Sequence, residues 1–212
     1  MRLILARHGN TFEAGETPVW VGAREDYPLT AKGEDQSRAI GAALKFAAIR
    51  PARLIAGPLR RTREGAVLAA AVCGFDGDIE IDARLKELDY GLWGGRSDAD
   101  IAAEWGAEAI EAWRERSIVP EGAGWSPSPA EAAANARAVL EGVMADARGD
   151  VLLISSNGIL RYFHALIAGA GAPPEEAKVK TGHMGAARLV AGVWRLMFWN
   201  QPPEAAREAL AP

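Results

Sequence analysis

The chain has one cysteine, Cys73, and only three histidines among 212 residues. A lone cysteine excludes an internal disulfide, and so thin a set of soft donors argues against a structural metal. No run of roughly 18 apolar residues is present. The first apolar stretch is followed at once by Arg7 and His8, which argues against a membrane span or signal peptide and predicts a cytoplasmic protein. Excess positive charge is missing as well. With a formal net charge of −4, nucleic-acid binding through bulk charge is excluded, whereas a local cationic pocket is not. There is no fixed-period repeat and no low-complexity tract beyond alanine-rich helix. A hydrophobic content of 49% is enough for one buried core, so a single domain over residues 1–212 is expected. Composition carries no sign of oligomeric state.

What is present is an alternation of short apolar runs with helical patterns. Leu3 to Ala6, Arg53 to Ala56, Ile79 to Ile81 and Val151 to Ile154 read as strands, too short for helix cores. A final pair, Ala186 to Val190 and Val193 to Phe198, is joined near Ala191 and Gly192. Helices are expected from Ala31 to about Ala48 behind the N-cap Thr30, and from Pro58, a residue suited to a first helical position. Residues 97–146 form a helical excursion. There Ile101, Trp105, Ala109 and Trp113 recur at four-residue steps, and Ser128 with Glu131 opens a helix as a capping box. Strands alternating with helices predict a three-layer α/β/α fold around a mostly parallel central sheet. Ligands bind at the carboxyl edge of such a sheet.

Five loops carry reactive side chains toward that edge. The first strand ends in Arg7, His8, Gly9, Asn10 and Thr11. The second leads to PLRRTR, where Arg61 sits near a helix N-terminus, a place that favours anions through free N–H groups and a bidentate guanidinium. Arg60 and Arg63 read as solvated surface. The third leads to Glu87, between Leu85 and Leu88 and just before Asp89, Tyr90, Gly91 and Trp93, an apolar setting that favours a carboxyl keeping its proton. The fourth ends in Ser155, Ser156, Asn157, Gly158, Ile159, Leu160 and Arg161. His164 reads as structural. His183, in KVKTGHMG ahead of the final strand pair, would lie on the same edge if the first of that pair runs antiparallel.

Strand plus RHGNT, PLRRT, LKELDYGLWGG and SSNGILR together resemble the histidine phosphatase superfamily, which includes the phosphoglycerate mutases. The resemblance implies a phosphomonoester hydrolase, slow or specialised, working through a phosphohistidine on His8 with Glu87 as proton donor. It implies phosphate binding by Arg7, Asn10, Thr11, Arg61, Ser156 and Asn157, with no cofactor and no metal. The partner is a small phosphorylated substrate or inorganic phosphate. Ser156 stands where the family has its second catalytic histidine, and His183 is a candidate replacement for that imidazole. Gly57 stands where a serine is usual and Gly94 where an acidic residue is common. Trp125 takes the place of a linker carboxylate, which suggests either a less polar substrate side or packing on the excursion. Two alternatives accompany this reading. One is a non-catalytic phosphate-ligand binder on the same fold, and the other, ranked last because GLWGG resembles the phosphatase branch, is a mutase-type phosphotransferase.

Overall fold

The computed structural model describes residues 1–146, 148–169 and 173–211. Six strands form one sheet: β1 (Arg2–Arg7), β2 (Arg53–Ala56), β3 (Ile79–Ile81), β4 (Val151–Ser155), β5 (Met184–Val190) and β6 (Val193–Gln201), in the order β3-β2-β4-β1-β5-β6. The first four are mutually parallel, and β5 and β6 add an antiparallel pair beside β1. The mostly parallel sheet is as expected, and β5 does start beside Ala6, at the carboxyl end of β1.

Period-two alternation divides the sheet's side chains between two cores. Ile4, Ala6, Leu54, Ala56, Leu152 and Ile154 face α1 (Ala31–Phe46), α2 (Arg60–Cys73) and α7 (Pro203–Leu210). Leu3, Leu5, Ile55, Val151 and Leu153 belong to the opposite core, with α5 (Pro129–Ala145), α6 (Asn157–Ala168) and the excursion. Because both faces are covered, β4 is buried along its whole length. Among the described residues no helix is long and apolar enough to cross a membrane.

Two expectations need correction. The second helix begins at Arg60, not Pro58, because Leu59 is extended (φ −72°, ψ 147°) and Thr62 Oγ donates to the carbonyls of Gly57 and Leu59, fixing a turn there. The helical stripe from Ile101 to Trp113 is split at Gly106 (φ 80°) into α3 (Asp98–Trp105) and α4 (Ala107–Arg116). Ile101 and Trp113 are buried, while Trp105 and Ala109 pack at the core's margin. The Ser128–Glu131 capping box forms, with Pro129 as the first residue of α5.

The approach of α1 to the end of β1 depends on two glycines. A Cβ on Gly9 would meet the Gly33 backbone, and one on Gly33 would meet the backbone of Asn10. The N-terminus of α1 therefore seats directly on the turn that carries His8, and Thr30 both caps the helix through Gly33 N–H (3.1 Å) and donates its own N–H to the Asn10 carbonyl (3.0 Å).

Candidate active site

The turn after β1 is held from three sides. His8 N–H donates to the Ser155 carbonyl (3.1 Å), Arg7 N–H to the His183 carbonyl (3.0 Å), and Gly182 N–H to the carbonyls of Arg7 and His8 (both 3.2 Å). His8 is 5% exposed and lies on the wall of a cavity of about 690 Å³. Its Nδ1 sits 2.7 Å from the Gly9 carbonyl. A carbonyl only accepts, so Nδ1 carries the proton and Nε2 of the neutral ring keeps its lone pair. Burial, and then the charges of Arg61 and Arg7, hold the His8 pKa well below 6.5. The ring is neutral at physiological pH.

Of the four arginines that border the same cavity, Arg7, Arg61 and Arg161 lie at its phosphate-facing side and Arg114 is paired with Asp98. Arg7 donates NH1 to the Val179 carbonyl (2.8 Å), and its buried Nε has no partner. Arg61, 1% exposed, donates to the carbonyls of Glu25 (2.9 Å) and Gly22 (3.1 Å), which ties the 12–28 loop to α2. Arg161, from α6, donates to Ser117 Oγ (2.8 Å) and the Arg114 carbonyl (2.9 Å) and lies over the Trp113 ring. Among the described residues none of the three has a carboxylate within salt-bridge distance. A buried cation without a counter-charge is costly unless a ligand supplies one. Burial lowers the pKa of each, with Glu87 opposing.

Glu87 is buried at the N-terminus of α6. It accepts from the N–H of Leu88 (2.9 Å) and of Gly158 (3.2 Å). Its surroundings are therefore not the apolar ones expected from its leucine neighbours: amide donors and guanidiniums face it. A Cβ on Gly158 would collide with Glu87 Oε1, so the glycine is what lets the carboxylate approach the helix end. Tyr90 lies against Glu87, and burial together with that carboxylate pushes its phenol well above the ordinary value, leaving it protonated.

Of the remaining expected site residues, Asn10, Thr11 and Asn157 border the cavity. Asn10 accepts from Thr181 Oγ (2.7 Å), and Asn157 accepts from Val179 N–H (2.9 Å). Ser156 is the N-cap residue of α6. It is fully buried and does not border the cavity, and among the described residues its Oγ has no hydrogen-bond partner. His183 does not border the cavity: its Nδ1 donates to the Asn200 carbonyl (2.9 Å), which turns the ring toward β6. His164 is buried beside Trp199, a structural position. Trp125 also lies outside the cavity wall, packed against Trp20, Tyr90, Trp93 and Trp113. Of its two readings, packing on the excursion is the one realised.

Sequence reasoning gave no role to Arg161, Arg114 or Asp98, all of which border the cavity. Arg161 carried a signal, since an arginine inside the apolar helix NGILRYFHALIA has no acidic residue in its own helix to pair with. Among the described residues no cluster of His, Cys, Asp and Glu suited to a metal ion occurs.

The chain matches the histidine phosphatase superfamily (branch 1) over residues 3–202. A probable phosphoglycerate mutase GpmB of Salmonella arizonae is 30% identical over 166 residues, covering 75% of this chain and 70% of that one. Its Citrobacter koseri counterpart is 38% identical over 92 residues, 43% of this chain and 40% of that one, so the chain spans well under two thirds of that relative. The mycobacterial glucosyl-3-phosphoglycerate phosphatase, solved with VO3, superposes with a TM-score of 0.77 at 22% identity, covering 94% of this chain and 98% of that one. The fold, the long family match and the phosphatase-like loop order lead to one conclusion: this chain belongs to the histidine phosphatase superfamily.

Proposed function

We propose that the protein is a phosphomonoester hydrolase that forms a phosphohistidine on His8. The observation that carries this reading is the His8 ring itself, its Nδ1–H committed to the Gly9 carbonyl and its Nε2 unprotonated beside Arg7 and Arg61. Nε2 attacks phosphorus while the bond from phosphorus to the ester oxygen breaks. Charge spreads over the three equatorial oxygens, and Arg7 and Arg61 stabilise it from positions fixed by their backbone-carbonyl partners. Glu87, in its protonated form, gives a proton to the departing alkoxide. It then takes one from the water that cleaves the phosphohistidine, so each cycle returns it to its starting state. Asn10, Thr11 and Asn157 position the phosphoryl group, and Arg7 Nε, buried and unpartnered among the described residues, is a donor for its oxygens.

Ser156 cannot carry the charge of an imidazolium, and His183 is turned away from the cavity. Transition-state stabilisation is correspondingly weaker, by on the order of 10²- to 10³-fold if nothing replaces a lost charged donor. Arg161, which borders the same cavity and has no carboxylate partner among the described residues, is a substitute in kind. The same position of Ser156 favours the second reading, a phosphate-ligand binder without turnover.

Incubation with a radiolabelled phosphomonoester and acid or base treatment separate the two. An acid-labile, base-stable label lost in His8→Ala, with release of inorganic phosphate, is expected. Phosphate binding without label or release would replace hydrolase by binder.

A further inference from the structure

The phosphoryl end of the cavity is cationic, whereas at Arg114 the lining charge is matched by a carboxylate. Three segments meet there: the loop bearing Trp20, the start of α3 at Asp98, and Arg114 of α4. Arg114 donates to both carboxylate oxygens of Asp98 (2.7 and 2.9 Å), Trp20 Nε1 donates to the same carboxylate (2.9 Å), and the Arg114 guanidinium lies 5.7 Å from the Trp20 ring centroid. Ser97 caps α3 through a complete capping box, which fixes Asp98 in the first turn. Arg114 is thus neutralised by a carboxylate facing the same cavity. The lining also includes the apolar Phe12, Pro18, Val19, Val21 and Trp113, together with Thr17, Ser97 and an exposed Lys178.

From this we infer that Asp98 selects the substrate class: monophosphate esters of uncharged, apolar or aryl alcohols, and not esters whose alcohol portion carries a carboxylate. The inference rests on the hydrolase reading and adds its specificity. Phosphate is drawn in by Arg7, Arg61 and Arg161. A second anion on the leaving group would face Asp98 across the mouth and would have to win Arg114 from it. Specificity of this kind comes from repulsion built against the wrong ligand as much as from attraction to the right one. The side chains of the pair are 50% and 42% exposed, so solvent screens the effect. A discrimination of about tenfold is the expected scale, against the several kcal/mol that like charges cost when fully desolvated.

The test is a matched pair, 4-carboxyphenyl phosphate and its methyl ester, assayed by kcat/KM on wild type and Asp98→Asn. Wild type should prefer the methyl ester about tenfold, and Asp98→Asn should reduce that preference to near unity through improved use of the carboxylated ester. Calorimetric titration of both esters into His8→Ala protein gives the same ratio without turnover, so failure of hydrolysis leaves the specificity question answerable. Equal or better use of the carboxylated ester by wild type overturns the inference while leaving the hydrolase reading intact. A preference unchanged in Asp98→Asn overturns it as well.

Discussion

Gly158→Ala isolates the contact between Glu87 and the N-terminus of α6. The added methyl would collide with Glu87 Oε1 and approach Leu88 Cδ1 and Cγ at 3.0 and 3.1 Å. Leu88 is 1% exposed and held in the core, whereas the carboxylate end of Glu87 borders a cavity, so the carboxylate is the group that yields. Overpacking of this kind costs about 1–3 kcal/mol. In a domain of this size that lowers Tm by roughly 2–12 °C. The larger consequence is chemical. A displaced proton donor forfeits up to about 10²- to 10⁴-fold in rate, and the loss should depend on the leaving group. An alkyl phosphate, whose alkoxide needs the proton, should suffer most, and p-nitrophenyl phosphate, whose phenolate leaves unaided, least. Steady-state kinetics on both esters, with Glu87→Gln and the double variant Glu87→Gln/Gly158→Ala alongside, complete the cycle. The two changes act on one group, so the double variant should be about as slow as Glu87→Gln alone. Full alkyl phosphatase activity in a folded Gly158→Ala protein, or strictly additive losses, would refute the placement of Glu87 as proton donor.

Other outcomes follow from the same geometry. Arg61→Met should weaken phosphate binding and, because the Arg61 charge helps depress the His8 pKa, move the acidic limb of kcat/KM to higher pH, as a pH–rate profile would record. Folded His8 and His164 both have lowered pKa values, so the unfolded chain takes up protons first as pH falls below 6.5. Stability present above that pH should decline by at most about 1.4 kcal/mol per pH unit for each histidine, and His164→Asn should flatten the fall in Tm. Gly33→Ala would ordinarily strengthen a helix by up to about 1 kcal/mol. Here the clash with the Asn10 backbone should reverse the sign, lowering both Tm and phosphate affinity. Ser156→Ala removes a buried hydroxyl with no protein partner. Its thermal stability should hold, and because Ser156 does not border the cavity, phosphate affinity measured by calorimetry should hold as well.

Much of this architecture was legible because it rests on local pattern. Four short apolar runs marked the parallel strands, and Ser128 with Glu131 marked the start of α5. Arg7, His8 and Glu87 stand out through the resemblance of RHGNT and LKELDYGLWGG to a known family, and the structure places Arg7, His8 and Glu87 on one cavity. What could not be read depended on distant contacts. Nothing near Gly106 showed that the aromatic stripe would break into two helices. The leucines flanking Glu87 concealed a partner 71 residues away, the amide of Gly158. His183 has the right address, but the carbonyl that turns it aside belongs to Asn200, on the neighbouring strand. The pairing of Asp98 with Arg114 likewise needs the angle between α3 and α4.

The position of β1 in the sheet has a consequence for how the protein comes into being. β1, which leads into His8, is separated by most of the sequence from its two hydrogen-bonding neighbours, β4 and β5. Until those arrive, Leu3, Ile4 and Leu5 have no sheet to join, and the carbonyls of Arg7 and His8 lack the Gly182 amide that clamps them. Contacts so far apart in sequence make for slow folding and a late closing step. The turn bearing His8 is therefore complete only once β5 has paired with β1.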